Sequence, residues 1–361
     1  GDATHDIINP ATEEVCARVA MASEVDVDRA VAAARAAFNH WSKTPAQQRC
    51  DLIKAVAAKM RARQHDLVEA ISSSMGCPSQ MTIDLQVTGP IAAMAAYAEQ
   101  AFEMEKTEQR ERTTVVREAV GVCAFINPWN YPLHQLVGKV APAIAAGCTM
   151  VVKPSKEAPL NAFALTDIMH DIGLPAGVFN LVSGHGREIG EVLSSHPSVD
   201  MVSFTGSTGA GVRVSELAAP SVKRVTLELG GKSANIILDD ADIGKAAGSA
   251  IYSCFNNSGQ ECSALTRLLV PESKRDEVID VISSKMTRYT VGDPLDESMR
   301  CGPMVSRRQQ ESVTAHIASG IAEGATLVAG GEGMPDGLDS GYYVKPTVFA
   351  EVTPDMTIFR E

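Results

Sequence analysis

Two stretches of this chain carry side chains able to do covalent chemistry: Asn257-Ser258-Gly259-Gln260-Glu261-Cys262 and, upstream, Leu227-Glu228-Leu229-Gly230-Gly231. A thiol just past a Gly-Gln turn is a nucleophile once ionised, and a carboxylate leading into a Gly-Gly turn is a base. Together they suggest a covalent intermediate on sulfur that is afterwards hydrolysed. A third group is Asn130, in Asn127-Pro128-Trp129-Asn130-Tyr131-Pro132. Two prolines make that loop rigid, and a preorganised amide N–H there could stabilise a developing oxyanion, worth roughly 3 kcal/mol per donor. The same asparagine could instead satisfy its own turn.

Other residues have the types expected around a bound nucleotide. Gly184-His185-Gly186-Arg187-Glu188-Ile189-Gly190 follows a strand pattern and opens a helical one, at a spacing one residue longer than the usual dinucleotide fingerprint. Phe204-Thr205-Gly206-Ser207-Thr208-Gly209 has the same setting, and its backbone N–H groups could cradle a pyrophosphate at the positive end of a helix. Each cluster read alone is equally well a flexible turn. Lys153 ends a strand, Pro154 stops further pairing there, and a lysine so placed can donate to ribose hydroxyls or simply be solvated.

These groups must be held by an α/β framework. Helical periodicity covers Val27 to Phe38, the face Ile53, Val56, Ala57 and Met60, and the Ala-rich run Ile91 to Phe102. Thr44-Pro45-Ala46-Gln47 reads as a capping box, with Thr44 as cap. Beyond a charged segment and a strand at Thr114 to Arg117, five apolar strands are expected: Val122 to Ile126, Met150 to Lys153, Val178 to Val182, Val199 to Phe204 and Val225 to Leu229. Helical patterns fill Leu160 to Asp171, Arg187 to Ser194 and Gly209 to Ala218. Such alternation predicts a mainly parallel sheet with ligands at the carboxyl ends of its strands. A second alternating unit follows Gly231, with strands at Asn235 to Leu238 and Arg267 to Pro271 and helices at Asp242 to Phe255 and Arg275 to Arg288. Cys262 then falls near a domain boundary, where clefts are common.

Bulk properties narrow the class. The 361 residues, 45% hydrophobic and 21% charged, suit a globular protein of two domains. A net charge of −12 leaves no basic face for a phosphate backbone, so nucleic acid is not an expected partner. No apolar run approaches membrane length. The eight cysteines are scattered without a Cys-x-x-Cys pair, which predicts neither a disulfide framework nor a metal site and makes a reducing cytoplasm the default. Both termini read as cut.

The motifs occur together in a recognisable order. Pro128-Trp129-Asn130-Tyr131-Pro132, Lys153-Pro154-Ser155, Phe204-Thr205-Gly206-Ser207, Leu227-Glu228-Leu229-Gly230-Gly231-Lys232 and Gly259-Gln260-Glu261-Cys262 resemble, in sequence and approximate spacing, the NAD(P)-dependent aldehyde dehydrogenase superfamily, over nearly the whole chain. The resemblance implies a Rossmann-like cofactor-binding domain (residues 1–102 and 119–230), an oligomerisation arm (103–118) and an incomplete α/β catalytic domain (231–361). It implies that Cys262 attacks the aldehyde to give a thiohemiacetal and that Asn130, with the Cys262 backbone N–H, forms the oxyanion hole. Hydride transfer to the nicotinamide would leave a thioester, hydrolysed by water that Glu228 activates, and Lys139 would aid proton transfer. Ile126, Asn127, Trp129 and Leu229 would line the nicotinamide side, Lys153 and Ser155 the adenosine ribose, Gly186 and Gly190 the adenine, and the Phe204, Gly206 and Ser207 turn the pyrophosphate. A small-molecule aldehyde is the expected substrate, and a homodimer or homotetramer the expected assembly at full length.

Departures from the family pattern also carry expectations. NAD-preferring members commonly place an acid three residues after the Lys153 equivalent; here that position is Lys156, with Glu157 one residue late, which leans the cofactor toward NADP or dual use. Tyr131 keeps an aromatic ring of the substrate tunnel, whereas Gly138 and Asn256 do not, so the tunnel should be wider and more polar on that side, with His134 and Gln135 beside it. Competing readings are a CoA-acylating semialdehyde dehydrogenase, a homologue without turnover and a cofactor-free cysteine hydrolase. Glu228 counts against the first, joint retention of Cys262, Glu228 and Asn130 against the second, and the want of an obvious histidine partner against the third.

Overall fold

The computed structural model describes residues 3–361; Gly1 and Asp2 lie outside them. The described chain forms two compact units. Unit 1 contains the chain up to Ile7, Cys16–Ile71 and Thr82–Leu229, and unit 2 contains Ile8–Val15, Ser72–Met81 and Gly230–Glu361. Unit 2 thus includes segments 8–15 and 72–81, which the sequence boundaries place in the first domain, and unit 1 includes 103–118. Such short segments carry too little periodicity to reveal their partners; Ile8, for example, packs against the Met304, Ile317, Tyr342 and Val344 cluster of unit 2.

Unit 1 is built on a five-stranded parallel sheet: β1 (Val122–Ile126), β2 (Thr149–Lys153), β3 (Phe179–Leu181), β4 (Met201–Gly206) and β5 (Arg224–Leu229), in the order β3-β2-β1-β4-β5. β1 and β2 are buried along their full length, which is why they read as unbroken apolar runs rather than alternating ones. On one face α1 (Glu24–Trp41) sends Val27, Val31 and Ala34 into a core with Val122, Ala124, Val151 and Val202. The strand order reverses between β1 and β4. In open α/β sheets, ligands bind outside the carboxyl ends of the strands at such a point.

Local signals decide several element ends. α1 starts at a true capping box: Ser23 accepts from the Asp26 backbone N–H while the Asp26 carboxylate accepts from the Ser23 N–H. The box expected at Thr44 does not form. α2 (Ala46–Ala62) has Pro45 at its N-cap with no side-chain cap, and the Glu105 carboxylate accepts from the Ala46 N–H at 2.5 Å. A distant acid therefore replaces the local hydroxyl. The Ile91 to Phe102 helix is broken: a π-helical turn at Thr82–Thr88 leads into a helix at Gly89–Ala96, followed by a 3-10 turn at Glu99–Glu105. The run expected at Arg187 to Ser194 is likewise a π turn, Gly186–Gly190, leading into Glu191–Ser195. The strand expected at Thr114 to Arg117 is Thr113–Val115, paired antiparallel with Glu108–Arg110, and all six residues are exposed.

Two helices of unit 1 flank the residues of interest. α3 (Pro132–Ala145) follows the Asn130 loop directly, and α4 (Thr208–Ala218) follows the Ser207 turn. Unit 2 pairs β6 (Ala234–Ile236) in parallel with β7 (Arg267–Leu269), covered by α5 (Ile243–Phe255) and α6 (Arg275–Met286) through Ile237, Ile243, Ala247, Ile251, Val278 and Ile282. Among the described residues no helix is long and apolar enough to cross a membrane, and no cluster of three His, Cys, Asp or Glu side chains could hold a metal.

Candidate active site

In unit 1 the residues singled out by sequence gather at the carboxyl ends of four neighbouring strands. Ile126 of β1 pairs in register with Lys153 of β2 and Phe204 of β4, and Glu228 and Leu229 of β5 pair with Thr205 and Gly206. Lys153 is almost wholly buried, and its Nζ donates to Pro154 O at 2.7 Å and Gly184 O at 3.1 Å. Burial lowers the Lys153 ammonium to a pKa of about 8. An ammonium has three protons to donate, so this one is tied to both flanking loops with a donor in hand. Gly190 stands against it: a Cβ there would lie 3.8 Å from Ile126 Cδ1 and 3.9 Å from Lys153 Cε. Gly184 permits the turn itself, since a Cβ at that position would fall 2.3 Å from Ile189 Cγ1. Around Gly186 the space is open, with nothing within 4 Å of a built Cβ.

The other loops converge on the same edge. The Asn127 N–H donates to Lys153 O at 3.0 Å, and the Asn127 side chain is buried with neither amide atom hydrogen-bonded among the described residues. Ser207 is the N-cap of α4, its Oγ accepting from the Ala210 N–H at 3.4 Å, so free backbone donors of the first turn face that end. Ser155 Oγ accepts from the Glu157 N–H at 3.3 Å, and Lys156 Nζ pairs with Glu157 Oε1 at 3.3 Å. A nearly buried ammonium between two loops, an open glycine turn and a capped helix start, all at the carboxyl edge of the sheet, fit the ribose, adenine and pyrophosphate of a dinucleotide.

Lys139 and Asn130 of unit 1 are ordered by polar contacts that residue patterns alone do not indicate. Lys139, on α3, donates to Thr205 Oγ1 at 2.8 Å and lies 3.5 Å from Gln135 Oε1; Thr205 also donates to Gln135 at 3.4 Å. By sequence Thr205 is only part of a glycine turn and Gln135 only a neighbour of the expected tunnel. Gln86 Nε2 donates to Asn130 O at 3.2 Å, fixing the loop carbonyl from a π-helical turn no periodicity would indicate. Trp129 and Asn130 are half-buried and Glu228 is exposed. Tyr131 and His134 stack edge to face at 6.4 Å, and burial, then nearby Lys139, lowers the His134 pKa. Gly138 leaves open space where a side chain would stand.

In unit 2, Cys262 sits half-buried in the loop between α5 and β7. α5 ends in a kinked turn, Asn256–Gly259, in which Asn257 (φ 52°), Ser258 (φ 57°) and Gly259 (φ 77°) are all left-handed. Glycine adopts that region freely and asparagine more readily than most residues, so the strain falls chiefly on Ser258 and the run must be held by its surroundings. The buried Gln260 provides that hold: its Oε1 accepts from the Val305 N–H at 2.9 Å and its Nε2 donates to Pro303 O at 3.3 Å and Asn257 O at 3.4 Å. Asn257 Nδ2 donates back to Gln260 O at 3.2 Å. Ser258 Oγ accepts from the Gly302 N–H at 2.9 Å and donates to Gly302 O at 3.1 Å. Past the thiol, the Ala264 N–H donates to Glu261 O at 3.3 Å, closing a turn with Cys262 inside it. The other thiols nearby are disfavoured as nucleophiles: burial pushes Cys254 up to about 11 and Cys301 up to about 12. In unit 1, the Cys123 thiol of β1 is raised by its hydrogen bond to Cys148 and then by burial.

Comparison with known proteins gives a consistent picture. A family model described as the aldehyde dehydrogenase family matches residues 1–361. A 3-succinoylsemialdehyde-pyridine dehydrogenase from a Pseudomonas species is 47% identical over 357 residues, which cover 99% of this chain and 75% of that protein. Among solved structures, a cysteine-to-alanine mutant of aldehyde dehydrogenase C from Pseudomonas syringae, complexed with NAD+ and octanal, superimposes with a TM-score of 0.98 at 45% identity, covering 100% of this chain and 74% of that one. Betaine aldehyde dehydrogenase from Staphylococcus aureus, in complex with NAD+, gives 0.95 at 34% identity, over 99% of this chain and 72% of that one.

Proposed function

The chain belongs to the aldehyde dehydrogenase family, and on that premise we propose that it oxidises an aldehyde to a carboxylic acid with NAD as oxidant. The observation that carries this is the gathering of Ile126, Lys153, Gly206, Glu228 and Leu229 at the carboxyl ends of β1, β2, β4 and β5, around the reversal of strand order. The NAD+-bound Pseudomonas syringae and Staphylococcus aureus relatives support the same reading.

The chain's own residues divide the work as follows. Cys262, as thiolate, adds to the carbonyl carbon; a C–S bond forms and the carbonyl π pair moves onto oxygen. The Asn130 amide and the Cys262 backbone N–H donate to that oxygen. A bound nicotinamide supplies the hydride acceptor for the next step. Glu228 takes a proton from the water that attacks the resulting thioester, the C–S bond breaks, and the acid leaves with the thiolate restored. Lys139, held by Thr205 and Gln135, moves protons nearby. Lys153, Ser155, Gly186, Gly190, Phe204, Gly206 and Ser207 hold the dinucleotide, with Ile126, Asn127, Trp129 and Leu229 on its nicotinamide side.

The cofactor reading extends to NADP. Lys156 follows the β2 end, where a cation attracts a 2′-phosphate, while its ion pair with Glu157 leaves a carboxylate for the ribose hydroxyls of NAD. A strong NAD preference that survives Lys156→Ala would remove the lysine from this role. The exposed hairpin Glu108–Arg110 and Thr113–Val115 is proposed as an arm that joins subunits; light scattering of a variant lacking residues 108–115 should show smaller particles. The function itself is tested by mixing the protein with an aldehyde panel and NAD+, then NADP+, with and without CoA. The expected result is reduced cofactor and free acid, independent of CoA; absence of both reduced cofactor and an acyl-cysteine adduct would sink the reading.

A further inference from the structure

The loop that carries Cys262 is bent against its own preferences. Three successive residues are left-handed, two of them not glycine, and a turn strained in this way would relax if nothing held it. The buried Gln260 side chain opposes that relaxation from the far side of the turn. Gln260 uses both ends of its amide, accepting from Val305 and donating to Pro303 and Asn257, and so ties the turn to a segment 43 to 45 residues further along the chain. The geometry points to Gln260 as a positioning residue, whose amide holds the 257–262 backbone so that the Cys262 thiol and its backbone N–H are presented in one fixed arrangement. Ser258 does the same in a minor way through its paired bonds with Gly302.

Amide chemistry makes this separable from mere bulk. In Gln260→Glu the acceptor toward Val305 survives, but the group facing the Pro303 and Asn257 carbonyls changes from a donor to a carboxylate oxygen. An anion held against two carbonyl oxygens raises its own pKa, and protonation restores one donor. The variant should therefore regain wild-type behaviour as pH falls. Gln260→Ala has no proton to regain and should not.

The inference rests on the role proposed for Cys262, so the test reads the thiol directly as well as turnover. Iodoacetamide alkylation of the Cys262 peptide would be followed by mass spectrometry from pH 5.5 to 9 in wild type, Gln260→Glu, Gln260→Ala and Ser258→Ala, alongside kcat and KM with NAD+ and an aldehyde. The Gln260 variants should alkylate with a shifted pH profile and lose about 100-fold in kcat at neutral pH, as expected for an ångström-scale misplacement, with KM for NAD+ unchanged. Glu at 260 should recover relative to wild type at low pH; Ala should not. Wild-type alkylation profiles and kcat in both Gln260 variants would overturn the inference while leaving the aldehyde oxidation intact. Shifted alkylation without turnover in wild type would do the reverse. If neither Gln260 variant folds, Ser258→Ala decides: a several-fold loss of kcat with a shifted profile supports the clamp, and wild-type values overturn it.

Discussion

Cys262 and Glu228 make opposite demands on an assay. Cys262→Ala should abolish acid formation without changing nucleotide binding. Glu228→Gln should retain the first burst of reduced cofactor but turn over ~100- to 10,000-fold more slowly, the usual worth of a general base; stopped-flow absorbance separates the two. Lys153 allows a sharper test. Its ammonium, lowered by burial from 10.5 to about 8, costs the folded state on the order of 3 kcal/mol wherever the lysine is charged in both states. The folded protein binds fewer protons here than the unfolded chain between those values, so the penalty is full below pH 8 and lifts as pH rises toward 10.5. Lys153→Met should therefore be more stable than wild type to urea at pH 7, by an amount that shrinks as pH rises above about 8, while binding NAD+ more weakly.

Elements were legible where a signal was both local and sufficient. β1 was located at Val122–Ile126 by an unbroken apolar run, and the helix at Leu160–Asp171 by period alone. Thr44 and Ser23 show the limit. Both have a hydroxyl residue ahead of a helical pattern, yet only Ser23 has an acid at the third position facing back, whereas α2 takes its first acceptor from Glu105, far along the chain. Ser23→Ala should cost about 1 kcal/mol in thermal or urea unfolding; Thr44→Ala should cost almost nothing. The same distinction governs the site. Cys262, Glu228 and the glycine turns stand out in the sequence because residue type and spacing suggest chemistry. Gln86, Thr205 and Gln260 do not stand out in this way, because each makes its contact through a hydrogen bond to a residue remote in sequence.

At the scale of the molecule, two units share one chain unequally. Unit 1 has nearly all its sheet within residues 122–229, but unit 2 takes Ile8–Val15 and Ser72–Met81 from the opposite end of the sequence. There Tyr342 N–H donates to Pro10 O, Ser79 N–H to Pro294 O, and Glu13 carries an ion pair with Arg307. Residues 230–361 expressed alone should accordingly lack a cooperative unfolding transition by circular dichroism. During synthesis this imposes an order. As the nascent chain leaves the ribosome, the loops around Pro10 and Ser79 emerge long before their partners at Tyr342 and Pro294, and closing such long loops is slow. Those stretches must wait in solution, available to chaperones, until almost the last of these residues has been translated.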